Sequence, residues 1–145
     1  GEYRGGLALM RDIKLLESNA ALSIRSDRRK FRPYGLHGGL QGSPSWNILN
    51  PTMDGGEVIP TKYTGSMKRG DVIRHITAGG GGWGDPRQRD PERVLENILD
   101  EKITAEYAYR EYGVIIDPIT KTIDSVGTAA LRRSLKTQPP PGSVG

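Results

Sequence analysis

The densest run of residues able to do chemistry is Gly79-Gly80-Gly81-Gly82-Trp83-Gly84-Asp85-Pro86, which satisfies Gly-x-Gly-x-x-Gly directly after an apolar, β-branched segment. A glycine-rich turn between a strand and a helix N-terminus cradles a pyrophosphate, and an acid further on, here Asp117 after a later apolar segment, would hold a ribose. Three features oppose that chemistry. Asp85-Pro86 intervenes, and the helix signal begins only near Pro91, so no helix N-terminus faces the glycines. The preceding segment carries Arg74 and His75, whereas a parallel strand covered on both faces is almost wholly apolar. Two helical segments, not one, separate the two strands. The run is therefore expected to be a tight turn under neighbouring segments, with a nest of backbone amides open to an anion as the functional alternative.

Other chemistries are thinly supplied. No Gly-Lys-Ser or Gly-Lys-Thr occurs, which excludes a P-loop for ATP, and no Gly-x-Ser-x-Gly elbow supports a serine nucleophile. His37 and His75 are the only histidines, and neither has a partner at metal-ligand spacing, so no metal site is expected. His75, two residues before Thr77 and close to the glycine run, and Asp85 are the candidates for catalysis. Gly79, Gly80, Gly81, Gly82, Trp83 and His37 are the candidates for ligand or interface contact. Arg25-Ser26-Asp27-Arg28-Arg29-Lys30-Phe31-Arg32 holds five cations and one aromatic. Such a stretch neutralises phosphates and stacks a base, or else is a solvated loop or a surface for an acidic partner.

The elements that must position these residues are read from composition and period. The chain has 145 residues, 21 Lys+Arg against 17 Asp+Glu, 34% hydrophobic residues, 20 Gly, 10 Pro and no Cys. That is a loop-rich single-domain length, and the missing cysteine excludes disulfides, thiolate zinc sites, iron-sulfur centres and a cysteine nucleophile. No apolar run approaches the roughly 18 residues a spanning helix needs, so a cytoplasmic chain without membrane contact is expected. Leu7, Leu9, Ile13 and Leu15 on odd positions predict a half-buried strand, and Leu22 and Ile24 beyond the Ser18-Asn19 turn make 6–26 a candidate hairpin. Residues 27–56 read as a long ordered loop or short extended pieces. Strands are expected at 57–62 and 71–77, the second opened by the turn Lys68-Arg69-Gly70-Asp71.

Beyond Gly79 the period becomes helical. Asp90-Pro91-Glu92 supplies a cap, a first-turn proline and an acid, with Val94, Leu95, Ile98 and Leu99 on one face of a helix over 91–100. A second helix runs from the cap Thr104 to Gly113, and a third over 125–136 with Leu131 and Leu135 together. Val114 to Ile116 reads as a short strand. The fold class is α+β: a β-rich, glycine-rich segment over 1–89, a helical segment with one short strand over 90–136, and a disordered Pro-rich tail over 137–145.

Several separate stretches agree in order with one known family. Gly1 to Gly6, Pro33-Tyr34-Gly35-Leu36-His37-Gly38-Gly39 with Gly42, Gly70-Asp71, Gly79 to Pro86, Arg89-Asp90-Pro91-Glu92-Arg93-Val94 and Tyr112-Gly113-Val114 resemble the C-terminal part of the hydantoinase B/oxoprolinase family. The resemblance covers Gly1 to about Ile116. Glu101-Lys102-Ile103-Thr104 departs from it where the family carries a glycine, which is expected to lengthen the first helix. The resemblance implies one part of the B-type polypeptide of an ATP-dependent enzyme that opens cyclic amides such as hydantoins or 5-oxoproline, or, in relatives, carboxylates ketones. It implies ATP and a divalent metal in the complete enzyme, though no cofactor on this chain. The implied partners are the upstream part of the same polypeptide and an ATPase-type hydantoinase A protein, not nucleic acid or membrane. The alternative from the residues alone is a non-enzymatic basic β-rich module acting through 25–32. Phe31, Tyr34, Leu36, Leu40, Trp46, Ile48 and Leu49, in a stretch without period, are expected either to anchor an interface or to pack on the chain's own sheet.

Overall fold

The computed structural model describes residues 1–52 and 55–135; Lys136 and the expected tail over 137–145 lie outside them. The residues gather into two compact units. One comprises Gly6–Tyr34 and Gln41–Gly80, the other Gly1–Gly5, Gly35–Leu40 and the chain from Gly81 onward. The first unit holds every strand of the described residues, β1 (Met10–Lys14), β2 (Asn19–Arg25), β3 (Trp46–Thr52), β4 (Gly55–Val58), β5 (Lys62–Lys68) and β6 (Val72–Ile76). The second holds the helices α1 (Pro91–Leu99), α2 (Ala105–Tyr107) and α3 (Ser125–Leu135). The α+β class stands, with antiparallel strands before short helices.

In the strand unit β1, β6, β3 and β4 form one sheet in that order, while β2 and β5 pair as a separate ribbon. The expected 6–26 hairpin is thereby corrected: β1 and β2 are consecutive but bond to different partners. The physical reason is visible at the turn that does form. Asp71 accepts the Lys68 N–H through its carboxylate at 2.7 Å and donates its own N–H to Lys68 O at 3.0 Å, with Gly70 at φ +94°. This tight turn joins β5 to β6, one strand of each sheet, so β1 and β2 follow their separate neighbours. Residues 27–56 are not all loop, since Trp46–Thr52 is an interior strand, and 62–68, beyond the strand expected at 57–62, is a seven-residue strand of its own.

Register places Ile13 opposite Ile73, and Ile73 opposite Leu49. On that face Ile59, Met67 and Ile73 are buried, with Leu15, Leu22, Ile24, Leu49 and Tyr63 packed against them. β1 is an edge strand with every residue exposed, so the half-buried strand expected over 7–16 buries little beyond Leu15. The other face aligns Met10, Ile76 and Trp46 in one row and Asp12, Arg74 and Ile48 in the next. Arg74 donates to both Asp12 oxygens at 2.8 and 2.7 Å, and these hydrogen bonds hold the Asp12 carboxyl below its ordinary range.

The helical unit follows its caps. Asp90 accepts the Glu92 N–H at 3.0 Å ahead of Pro91, and Thr104 accepts the Tyr107 N–H at 3.1 Å. Beyond α2 the chain widens into a π turn over Ala108–Tyr112 and stops at Gly113, φ +60°. Val94, Ala108, Tyr112, Val114 and Ile116 form the core, with Leu95, Ile98 and Ile123 against it, whereas Leu99 stays exposed. The short strand expected at 114–116 reduces to one bridge, Ile116 to Ile123. No helix of the described residues is long and apolar enough to cross a membrane.

The departure at 101–104 does not lengthen α1. The helix ends at Leu99, and Glu101 takes the left-handed conformation, φ +56°, that a glycine would adopt freely. Lys102 N–H still reaches Asn97 O at 2.8 Å, completing the stop. A left-handed L-residue costs about 1–2 kcal/mol, offset by the roughly 0.5–1 kcal/mol of extra unfolded-chain freedom in glycine. Glu101→Gly should therefore raise stability by about 0.5–1 kcal/mol, seen as a higher midpoint in thermal melts of the whole chain; a lower midpoint would mean the Glu101 side chain matters more than its backbone.

Candidate functional site

Trp83 is the middle of three extended segments. Its N–H bonds Tyr3 O at 3.0 Å and its O accepts the Tyr3 N–H at 2.9 Å, an antiparallel bridge. On its other side Leu36 N–H bonds Gly82 O at 2.9 Å and Gly84 N–H bonds Leu36 O at 3.0 Å, a parallel bridge. These backbones come together without side chains between them. A Cβ on Gly39 would run into Gly82 O and the Trp83 nitrogen, one on Gly82 would lie 2.6 Å from Gly1 N, and one on Gly1 2.7 Å from Trp83 N. In the strand unit Gly42 and Gly79 repeat the arrangement, since a Cβ on Gly42 would run into Gly79 O. Gly79 N–H is held by Ser43 O at 3.2 Å and Ser43 Oγ at 3.0 Å, and Gly80 N–H by Gly6 O at 2.9 Å.

This corrects the tight-turn expectation. None of Gly79 to Gly82 has a left-handed backbone; at Gly82 a Cβ is excluded by the Gly1 backbone, and at Gly79 it would lie 2.9 Å from Ser43 Oγ. The dinucleotide reading also fails. The strand before the run is antiparallel to both neighbours, Asp85 opens only a 3₁₀ turn over Pro86–Gln88, and the Asp117 carboxylate is engaged by the N–H groups of Ile119 and Thr120 at 2.8 Å each.

With its backbone enclosed, the Trp83 side chain is left on the outside, 44% exposed. The structure brings His37 to it. His37 (φ +49°) and Gly38 (φ +86°) are the central pair of a turn closed by Gly39 N–H to Leu36 O at 2.9 Å, and the imidazole sits 5.2 Å from the indole. Tyr3 stands on the indole at 5.5 Å and is itself 54% exposed. Tyr3, Leu36, His37 and Trp83 thus form one exposed aromatic patch. Sequence reasoning pairs neither His37 nor Tyr3 with Trp83, and only the recurrence of glycines at 35, 38, 39 and 42 hints at it.

Asp85, next along the chain, is bound by Arg87. The guanidinium donates to both carboxylate oxygens, at 3.0 Å from Nε and 2.8 Å from Nη2, and Arg87 N–H adds a bond at 2.9 Å. Burial pushes this carboxyl up, but the Arg87 bonds and charge, with the charge of Arg132, outweigh it and hold it below the ordinary range. Arg132 in turn donates to Arg89 O at 2.7 Å and Tyr112 O at 3.1 Å, while Arg87 reaches Leu135 O at 2.7 Å, so arginines tie α3 to this turn. Arg89 is 8% exposed and donates to Glu2 O at 2.8 Å.

His75 lies on β6 in the strand unit. Its Nδ1 is 2.7 Å from Oδ1 of Asn47, a fully buried residue whose amide nitrogen donates to Ser26 Oγ at 2.8 Å. That buried partner leaves no sequence signal. Among the described residues no three His, Asp or Glu side chains stand close enough to share a metal ion. What the arrangement offers is an exposed aromatic patch carried on paired backbones.

The profile of the hydantoinase B/oxoprolinase family matches residues 1–86, which include the whole aromatic patch. An uncharacterized protein of Methanocaldococcus jannaschii is 41% identical over 118 residues, 80% of this chain and 20% of its own length. The B-type polypeptide of a putative D-/L-hydantoinase from a Pseudomonas species is 33% identical over 138 residues, 92% of this chain and 22% of that protein. Among solved structures, the ATP-dependent caprolactamase of Pseudomonas jessenii superposes with a TM-score of 0.73 at 26% identity, covering 92% of this chain and 24% of that one. The chain thus spans about a fifth to a quarter of the relatives it matches.

Two outcomes follow from the geometry. Gly39→Ala should cost about 1–3 kcal/mol or more, because backbone cannot swing aside, while Gly6→Ala, with open space around it, should stay within about 0.5 kcal/mol. Chemical denaturation of the two variants checks this, and equal midpoints would contradict it. Because the folded Asp85 carboxyl titrates below its unfolded value of about 3.9, its stabilisation is complete above that pH and is lost as pH falls through the lower folded value. Asp85→Asn should flatten that acid limb in a pH series of melts, and an unchanged limb would show that Asp85 contributes nothing to it.

Proposed function

Because this chain belongs to the hydantoinase B/oxoprolinase family, we propose that it forms the C-terminal part of the B-type polypeptide of a cytoplasmic, ATP-dependent enzyme that opens cyclic amides. The observation that carries this reading is the family match over 1–86, supported by the likeness of 92% of the chain to a caprolactamase with a TM-score of 0.73. In this proposal the chain supplies architecture rather than the reacting groups. It carries no P-loop sequence, which fits a division in which an ATPase-type companion protein binds ATP. Activation of the amide oxygen turns a poor electrophile into a competent one, and the charge that develops is met by donors outside these residues. The aromatic patch of Tyr3, His37 and Trp83 serves as a contact for the remainder of the B-type polypeptide, where large rings at a contact centre contribute most.

The test is a replacement. In the β polypeptide of the caprolactamase the segment matched by this chain is exchanged for it, and ATP-dependent lactam opening is measured with the companion protein present. The proposal expects an assembled complex that still opens the ring, and a complex that assembles but has lost ring opening and ATP turnover together would contradict it. The 145-residue chain alone is expected to turn over neither ATP nor hydantoin; turnover above a heat-killed control would overturn the division of labour.

A further inference from the structure

In the strand unit a groove of about 510 Å3 runs beside the basic stretch, walled by residues 26–31 on one side and by Pro60 and Thr61 on the other. The family role leaves it unused. Its basic wall is built, not loose. Ser26 N–H bonds Thr61 O at 2.9 Å, Ser45 N–H bonds Arg28 O at 3.3 Å, and the Ser45 hydroxyl donates to Asp27 O. Arg29 is the anchor of this wall: it donates to Ile59 O at 2.8 Å and lies 4.6 Å over the Trp46 ring. Arg28 holds a left-handed backbone at φ +64°, a conformation unfavourable for arginine that the flanking bonds maintain.

What remains is a set of uncommitted cations beside an uncovered ring. Among the described residues neither Arg28, on the groove wall, nor Arg32, just beyond the wall in sequence, has a side-chain hydrogen-bond or ion-pair partner, and both are exposed. Phe31, on the groove wall, is 76% exposed. We propose that this groove docks an acidic polypeptide segment of a partner protein, with an apolar side chain of that segment against Phe31. Charge complementarity selects the class, since the free cations steer an acidic partner and fix its register. A nucleic acid fits less well. Phe31 is the single aromatic ring among the residues that wall the groove, whereas stacking along a strand needs successive rings. The remaining charge of the chain, 21 cations against 17 anions, adds little further pull on phosphates.

The probes are a short labelled peptide of Glu and Asp with one central Leu, the same peptide with Ser in place of Leu, and a single-stranded oligo-dT of matching length, each titrated by anisotropy into the whole chain. The Leu peptide is expected to bind best and to weaken with salt. The exposed double variant Arg28→Asn, Arg32→Gln should weaken it about tenfold, and Asn accepts the left-handed backbone, so the loop is kept. Phe31→Ser should erase the preference for Leu over Ser, while Lys14→Gln, a cation on β1, should change nothing. Absence of saturable peptide binding, equal binding by the double variant, or tighter binding of oligo-dT than of peptide would each overturn the proposal, the last by assigning the groove to nucleic acid.

Discussion

Contact of backbone on backbone, with no Cβ atom between, is the constraint on which the site depends. Around Trp83 the peptide units of Gly1, Gly39 and Gly82 lie where any side chain would meet a neighbouring carbonyl or amide. In the strand unit Gly42 and Gly79 meet in the same way. Hydrogen bonds at 2.9–3.2 Å close each approach, so the polar groups of these extended segments are satisfied although no regular sheet is present. The side chains are displaced outward as a direct result. Trp83 and Tyr3 are exposed rings because their backbones pair with each other, and the turn at His37 and Gly38 brings the imidazole to them.

The same constraint explains what can and cannot be seen in the sequence. The helices are legible because their signals are local: Asp90 ahead of Pro91, Thr104 as a cap and Gly113 as a left-handed stop all act where expected. Strand pairing is not, because period marks a strand without naming its neighbour. The alternation at 7–16 and 20–24 is real, yet β1 joins β6 and β2 joins β5 across more than thirty-five residues of chain. Glycine motifs are legible as motifs, but not as each other's partners. That Gly39 needs Gly82, and Gly42 needs Gly79, depends on distance in space alone. Glu101 is the opposite case, where a local rule is overridden: the helix stops where a glycine would stop it, at the cost of a strained residue.

The proposed role divides support from chemistry. The residues singled out for chemistry are held by structural partners, Asp85 by Arg87 and His75 Nδ1 by Asn47. The surfaces left free are aromatic in the helical unit and basic-aromatic in the strand unit, which is the character of contact surfaces.

Native-state hydrogen exchange of the whole chain tests the central claim most directly. If backbone contact supports the site, the amides of Tyr3, Leu36, Gly82, Trp83 and Gly84 exchange as slowly as those of Val94 and Ala108 in the core of the same unit. Exchange at these five amides on the timescale of free loops, with Val94 and Ala108 still protected, would contradict it.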